Sequence, residues 1–308
     1  MQAGKVRIGT RGSPLALAQA REVQARLTAA HGLAPEASEL TIIRTTGDKI
    51  TDRPLIEAGG KGLFTKELEE ALFAGDIDLA VHSMKDMPAF LPQGLTIAAI
   101  LEREDPRDAF VSLKYASLSA MPEGAVLGTS SPRRQAQVLR ARPDLRIVGF
   151  RGNIETRLRK LEEGIADATL LACAGLNRLG LARHITAAMG TDVLLPAVAQ
   201  GAIGIEIRAD DQETASLVAP LNHAPTATCI AAERAYLAQL EGSCRTPIAG
   251  FAELHAGMLR IRGEILTTDG NRTHTAMSAG AAQNAIDLGE QTAREILERA
   301  GPDFFATA

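Results

Sequence analysis

Short stretches of alternating apolar and polar residues give way repeatedly to helical spacing through the first two thirds of the chain. Val6 and Ile8 alternate as in a strand, and Ser13-Pro14 then offers a hydroxyl cap with proline at the first helical position. Ala16, Ala20, Val23 and Leu27 fall on one face of that helix. The same reading predicts a strand over Leu40–Arg44, a helix over Thr65–Phe73, and a strand through Ile77, Leu79 and Val81 into His82-Ser83-Met84-Lys85-Asp86. Strand Val126–Thr129, helix Pro132–Arg142, strand Leu145–Phe150, helix Ile154–Glu163, and strands Ala168–Cys173 and Ile203–Ile207 follow. This β-α-β alternation predicts parallel or mixed sheets with helices on both faces.

After residue 222 the pattern changes. Thr226–Leu240 reads as an amphipathic helix, and Pro247–Glu253, Met258–Leu266 and Arg272–Ser278 as antiparallel strands, with a turn at Asp269-Gly270. Gln283–Arg299 closes as a helix, which makes a small α+β region. An internal echo also shows: Val6 to Pro14 and Ala125 to Pro132 both run from a strand through Gly-Thr into a Ser-Pro helix start. Two lobes that begin alike, each with free N–H groups at a helix N-terminus suited to anions, are expected.

Composition narrows the classes. The 308 residues are 45% apolar and 23% charged with a net charge of −4, an ordinary globular balance. Nine Lys/Arg between Arg133 and Lys160 face only Asp144 and Glu155, a basic belt that predicts an anionic ligand. Negative net charge, two Tyr, eight Phe and no Trp argue against a nucleic-acid platform. The sequence opens without a secretory h-region and holds no apolar run of ~20 residues, so a cytoplasmic protein is expected. The three cysteines, Cys173, Cys229 and Cys244, lack C-x-x-C spacing, so neither zinc nor a disulfide framework is expected.

Candidate chemistry concentrates at element boundaries, where ligands bind in open α/β sheets. Arg11, Arg133, Arg134, Arg151, Arg157 and Arg178 stand there, and guanidinium forks match carboxylates bidentately. Asp86 follows a strand end, where it serves either as acid, base and cation stabiliser or as a turn residue. Gly59 to Phe64 lacks P-loop spacing and reads as either a basic lid or a plain turn. Cys244, in a turn beside Arg245, is a candidate reactive thiol, whereas Cys173 and Cys229 lie in apolar patterns expected to be inert core. On these features alone, a carboxylate-binding module remains a rival to an enzyme.

Taken together, the segments resemble the porphobilinogen deaminase family from Val6 to about Glu253. The resemblance rests on Gly9 to Leu17, Gly59 to Phe64, Ala80 to Asp86, Glu102 to Phe110, Gly128 to Gln135, Arg151-Gly152-Asn153, Ala174 to Gly180, Leu195 to Ala202 and Leu240 to Pro247. It implies an α/β protein of two similar periplasmic-binding-protein-like lobes with mixed sheets, residues 1–101 with 203–221 and residues 102–202, plus a small α+β C-terminal domain, residues 222–308. It implies a dipyrromethane cofactor in thioether linkage to Cys244, a catalytic Asp86, and no metal. Lys85, Ser83, Thr129, Ser131, Arg133, Arg134, Arg151 and Gly152 are implied around the cofactor. Arg11, Ser13, Gln19, Lys61, Phe64, Arg151, Arg157, Arg178 and Gln200 are implied around the substrate, porphobilinogen. The implied enzyme is a monomeric transferase that joins four units with loss of ammonia and releases hydroxymethylbilane by hydrolysis, without nucleic-acid or membrane partners. Pro132, Ser243 and Ala199 depart from common family residues, and none removes a reacting group.

Overall fold

A computed structural model describes residues 5–49, 62–240, 247–302 and 304. The chain forms two compact units, residues 1–103 with 202–227 and residues 104–201 with 228–308. Lys61 and Cys244, with the rest of 241–246, lie outside the described residues.

The first unit opens with β1 (Val6–Arg11) and α1 (Pro14–His31), whose cap Ser13 accepts a hydrogen bond from the Ala16 N–H at 3.3 Å. Next come β2 (Ser38–Ile43), the short α2 (Thr46–Lys49), α3 (Lys66–Ala74), β3 (Leu79–Ser83) and β4 (Leu95–Ile100). The chain then builds the second unit with β5 (Asp108–Ser112), β6 (Val126–Gly128), α4 (Pro132–Ala141) and β7 (Arg146–Val148). It continues through α5 (Ile154–Glu162), β8 (Ala168–Ala172), α6 (Cys173–Arg178) and β9 (Ala187–Ala188). β10 (Ile203–Arg208) and α7 (Gln212–Val218) return to the first unit.

The two sheets share one topology. The first is ordered β2-β1-β3-β10-β4, and the second β7-β6-β8-β5-β9. In each, the first three strands are parallel, while the fourth runs antiparallel to both its neighbours and comes from the far side of a crossing between units. β1 and β6, the two halves of the sequence echo, occupy the same place, and each feeds a serine-capped helix with proline at its start. Two similar mixed-sheet α/β lobes are therefore what the chain builds.

Burial explains the sheet positions. On one face of the first sheet Ile8, Leu79, Val81, Ile203 and Ile205 close against Ala20, Val23 and Leu27 of α1. The opposite face takes Leu68 and Leu72 of α3. Burying each such Leu or Ile contributes about 1.5–3 kcal/mol.

The remaining chain forms α8 (Ala224–Gln239), the antiparallel meander β11 (Ile248–His255), β12 (Met258–Leu266) and β13 (Thr273–Ala281), and α9 (Ala285–Ala300). It packs within the second unit: Glu233 of α8 accepts from the Ala199 N–H at 2.6 Å, and Gly250 donates to the Pro196 carbonyl at 3.0 Å. Six elements were not legible in the periodicity: α2, β4, β5, β9, α6 and α7. The expected strand Ala168–Cys173 ends one residue early, because Cys173 starts α6.

Candidate active site

In the first unit β1 and β3 run parallel, so their carboxyl ends share one edge. Beyond that edge lies a cleft lined by Arg11 and Ser13 from the β1–α1 junction, Gln19 from α1, Phe64, Ser83 at the end of β3 and Asp86 past it. Six of the expected site residues are thereby brought together. Arg11 lies 4.0 Å above the centroid of the Phe64 ring, a cation–π contact that fixes its direction. Asp86 ends the single 3-10 turn Met84–Asp86 and is exposed, with Lys85 half-buried beside it. An exposed carboxylate, a stacked guanidinium and the N-terminus of α1 give the cleft groups for both an anion and a developing cation.

The second unit gathers Thr129, Ser131, Arg133 and Arg134 at the start of α4. Ser131 caps the helix, accepting from the Arg134 N–H at 3.4 Å. Arg133 and Arg134 are not open forks. Both turn onto Asp108, which is 0% exposed, with Arg133 Nη2 2.8 Å from Oδ2 and Arg134 Nη2 2.6 Å from Oδ1. Arg133 also donates to the Leu195 carbonyl at 2.7 Å, and Arg134 to that of Leu170 at 2.9 Å. Burial alone would push the Asp108 carboxyl up, but the two guanidiniums outweigh it and hold it at about 2. Burial draws the Arg133 guanidinium down, against the pull of Asp108. Gln200, also buried, donates to Asp108 at 3.1 Å and to the Pro106 carbonyl at 2.8 Å.

Around the start of α5, Asn153 caps the helix by accepting from Thr156 N–H at 2.8 Å, and Arg157 Nε donates to the Gly152 carbonyl at 2.9 Å. Gly152 has φ 119°, and a Cβ there would come within 2.6 Å of Thr156 Cγ2, so only glycine makes this turn without strain. Lys160 Nζ donates to the Arg151 carbonyl at 3.1 Å, and Arg178 to the Gly201 carbonyl at 3.0 Å.

Cys173 and Cys229 are both buried, as expected of core thiols, and burial pushes the Cys173 thiol up to about 12. Sequence reasoning missed Asp108, the hub of the arginines. It also missed the buried pair His82–Glu206, whose ring nitrogen and carboxylate oxygen are 2.8 Å apart. A charged residue at the mouth of the apolar run Ala109-Phe110-Val111 was the only local signal for Asp108.

Residues 6–216 match the family described as porphobilinogen deaminase, dipyrromethane cofactor binding domain, and residues 227–298 match porphobilinogen deaminase, C-terminal domain. The chain belongs to the porphobilinogen deaminase family. A porphobilinogen deaminase of Paracoccus denitrificans is 57% identical over 300 residues, covering 97% of this chain and 96% of that one. One of Nitrobacter hamburgensis is 55% identical over 298 residues, covering 97% and 94%. Among solved structures, the methionine binding protein MetQ aligns with a TM-score of 0.45 at 15% identity, over 70% of this chain and 89% of that one.

Proposed function

We propose that this chain is a hydroxymethylbilane synthase: it joins four porphobilinogen units with loss of ammonia on a covalently held dipyrromethane and releases hydroxymethylbilane by hydrolysis. The observation that carries the reading is the cleft that sets Asp86 beside Arg11, Ser13, Gln19 and Ser83, in a chain matched almost end to end by this family. When bound, the dipyrromethane supplies the free pyrrole carbon to which each unit is joined.

The chain's own residues fit such a carboxylate-rich group. Two buried guanidiniums share the single carboxylate of Asp108, so one positive charge is left over at the start of α4. Arg133 and Arg134 offer that charge to the cofactor acids, with Thr129, Ser131, Ser83, Lys85, Arg151 and Gly152. Gln200 acts through Asp108. Arg11, Ser13, Gln19, Lys61, Phe64, Arg151, Arg157 and Arg178 receive the acetate and propionate of porphobilinogen, so binding energy is spent on orientation. Asp86 donates a proton to the leaving amine and, as carboxylate, opposes the positive charge that develops on the pyrrole ring. Cys244 is the point of attachment.

We read the chain as three domains, residues 1–101 with 203–221, 102–202 and 222–308, and what supports this is that each range holds one whole sheet. We read it further as a cytoplasmic monomer with neither nucleic-acid nor membrane partners. Among the described residues, no helix is long and apolar enough to cross a membrane.

The test is Asp86→Asn, a near-isosteric change on an exposed turn that keeps the fold. With cofactor loading matched by intact mass, steady-state formation of hydroxymethylbilane should fall about 10²–10³-fold. Asp86→Glu keeps the charge and should retain more. Near-wild-type turnover by the loaded amide variant would remove Asp86 from the chemistry.

A further inference from the structure

The α3 side of the first sheet is apolar, built from Leu68, Leu72, Ile77, Ala80 and Leu95, yet three ionisable groups are buried on it. His82 of β3 and Glu206 of β10 have side chains 4% and 0% exposed, and Glu69 of α3 is 9% exposed. Glu206 is 124 residues from His82 in sequence, and the antiparallel pairing of β3 with β10 brings them together. The register between β10 and β4 shifts between Ile205 and Glu206, an irregularity of the kind that re-aims a side chain. Among the described residues, one carboxylate oxygen of Glu206 and one of Glu69 are buried without a hydrogen-bond partner. Such a set costs several kcal/mol in an apolar layer, so a purely structural role is a poor return for it.

Its outer edge meets the active cleft. His82 lines the same cleft as Asp86 and Arg11. Nε2 is bound to Glu206, and Nδ1 has no hydrogen-bond partner among the described residues. We propose that His82, backed by Glu206 and Glu69, is a second proton-handling residue of this cleft. At Nδ1 it takes the proton released when two pyrroles are joined. The ring C–H bond breaks, its electron pair returns to the pyrrole, and the proton arrives on the imidazole while Nε2–H remains on Glu206. The imidazolium is offset by the Glu206 carboxylate, as in other histidine–carboxylate pairs. The proton then leaves to solvent or to departing ammonia, which resets the ring.

The surrounding charges support this. From β10 the facing group is Glu206; Arg208 on the same strand is spent on Asp211 at 2.6 Å. From α3 it is Glu69, whose carboxyl is pushed up, first by burial and further by Glu206, so that it holds a proton more readily. α1 contributes the uncharged Gln19 to the cleft, and Arg11 and Asp86 stand on its rim.

The proposal rests on the synthase reading, and the test separates the two. Wild-type chain is first shown to form hydroxymethylbilane; failure there overturns both readings, whereas an active enzyme without the His82 effects below overturns this proposal alone. His82→Gln, at equal cofactor loading, should then lower kcat about 10²-fold with little change in KM, and should abolish the acid limb of the kcat–pH profile. Glu206→Gln keeps the shape of the partner at 2.8 Å but removes its charge, so it should also lower kcat at equal cofactor loading with little change in KM. A second measurement needs neither turnover nor a variant. In wild-type chain with ¹⁵N-labelled histidine, the His82 resonances should show a proton fixed on Nε2 and an Nδ1 that gains one as pH falls. A His82→Gln enzyme with wild-type kcat and an unchanged acid limb, or an Nδ1 that never titrates, would overturn the proposal.

Discussion

Asp108 carries two guanidiniums on one carboxylate with no exposure at all, and that balance has consequences for stability. Replacing it by Asn leaves two buried cations without their shared carboxylate, so Asp108→Asn should lose about 3–5 kcal/mol in urea denaturation. The carboxyl sits at about 2 in the folded chain, below its unfolded value of about 3.9. A depressed carboxyl contributes stability that is present above the unfolded value and lost as pH falls through the folded one. About 2–3 kcal/mol should therefore disappear between roughly pH 4 and pH 2, and Asp108→Asn should lack this component. Local sequence could not reveal this hub. Arg133 and Arg134 were legible as cations at a helix start, but their partner lies 25 and 26 positions away, on a strand that pairs with β8. Asp86, Arg11 and Ser13 were legible because Arg11 ends a strand and the other two follow one within a few residues, and strand ends in parallel sheets share an edge.

At the scale of elements, helix starts were the clearest signal and buried strands the weakest. Ser13-Pro14 and Ser131-Pro132 mark the caps of α1 and α4, and the structure places both caps where the serines stand. Asn153 caps α5 in the same way. β4 and β5, by contrast, read only as apolar runs, because such strands show no alternation. β9 is two residues long, and α6 continues the apolar run of β8 without a side-chain cap. The Ser131 cap links both themes, since it orders the first turn of the helix that carries Arg133 and Arg134. Ser131→Ala should cost about 1 kcal/mol of stability, and Ser131→Asn, which keeps an acceptor, should recover most of it. Thermal unfolding at matched cofactor loading checks both. A cost confined to stability, with loading unchanged, would make the serine a cap and nothing more.

For the whole molecule, the decisive question is which thiol holds the cofactor, because the synthase reading requires one covalent tether. Cys173 is buried, and its thiol is pushed up to about 12, so almost none of it is thiolate near neutrality. Cys229 is buried in α8. Cys244, beside Arg245, is left as the thiol whose neighbourhood in sequence favours the nucleophilic form. Intact mass of the purified wild-type chain should show an adduct of dipyrromethane mass. Cys244→Ser should lose it, since an alcohol at neutral pH is a far poorer nucleophile than a thiolate. Cys173→Ser and Cys229→Ser should keep it, with reduced stability, because each places a hydroxyl in an apolar position. The tethered group stays on the chain when it unfolds, but its ionic contacts form only in the folded state, so the Cys244→Ser chain should melt below the loaded wild type. Peptide mapping of the adduct to Cys173 or Cys229 would overturn the assignment of Cys244, whatever the activity of the enzyme.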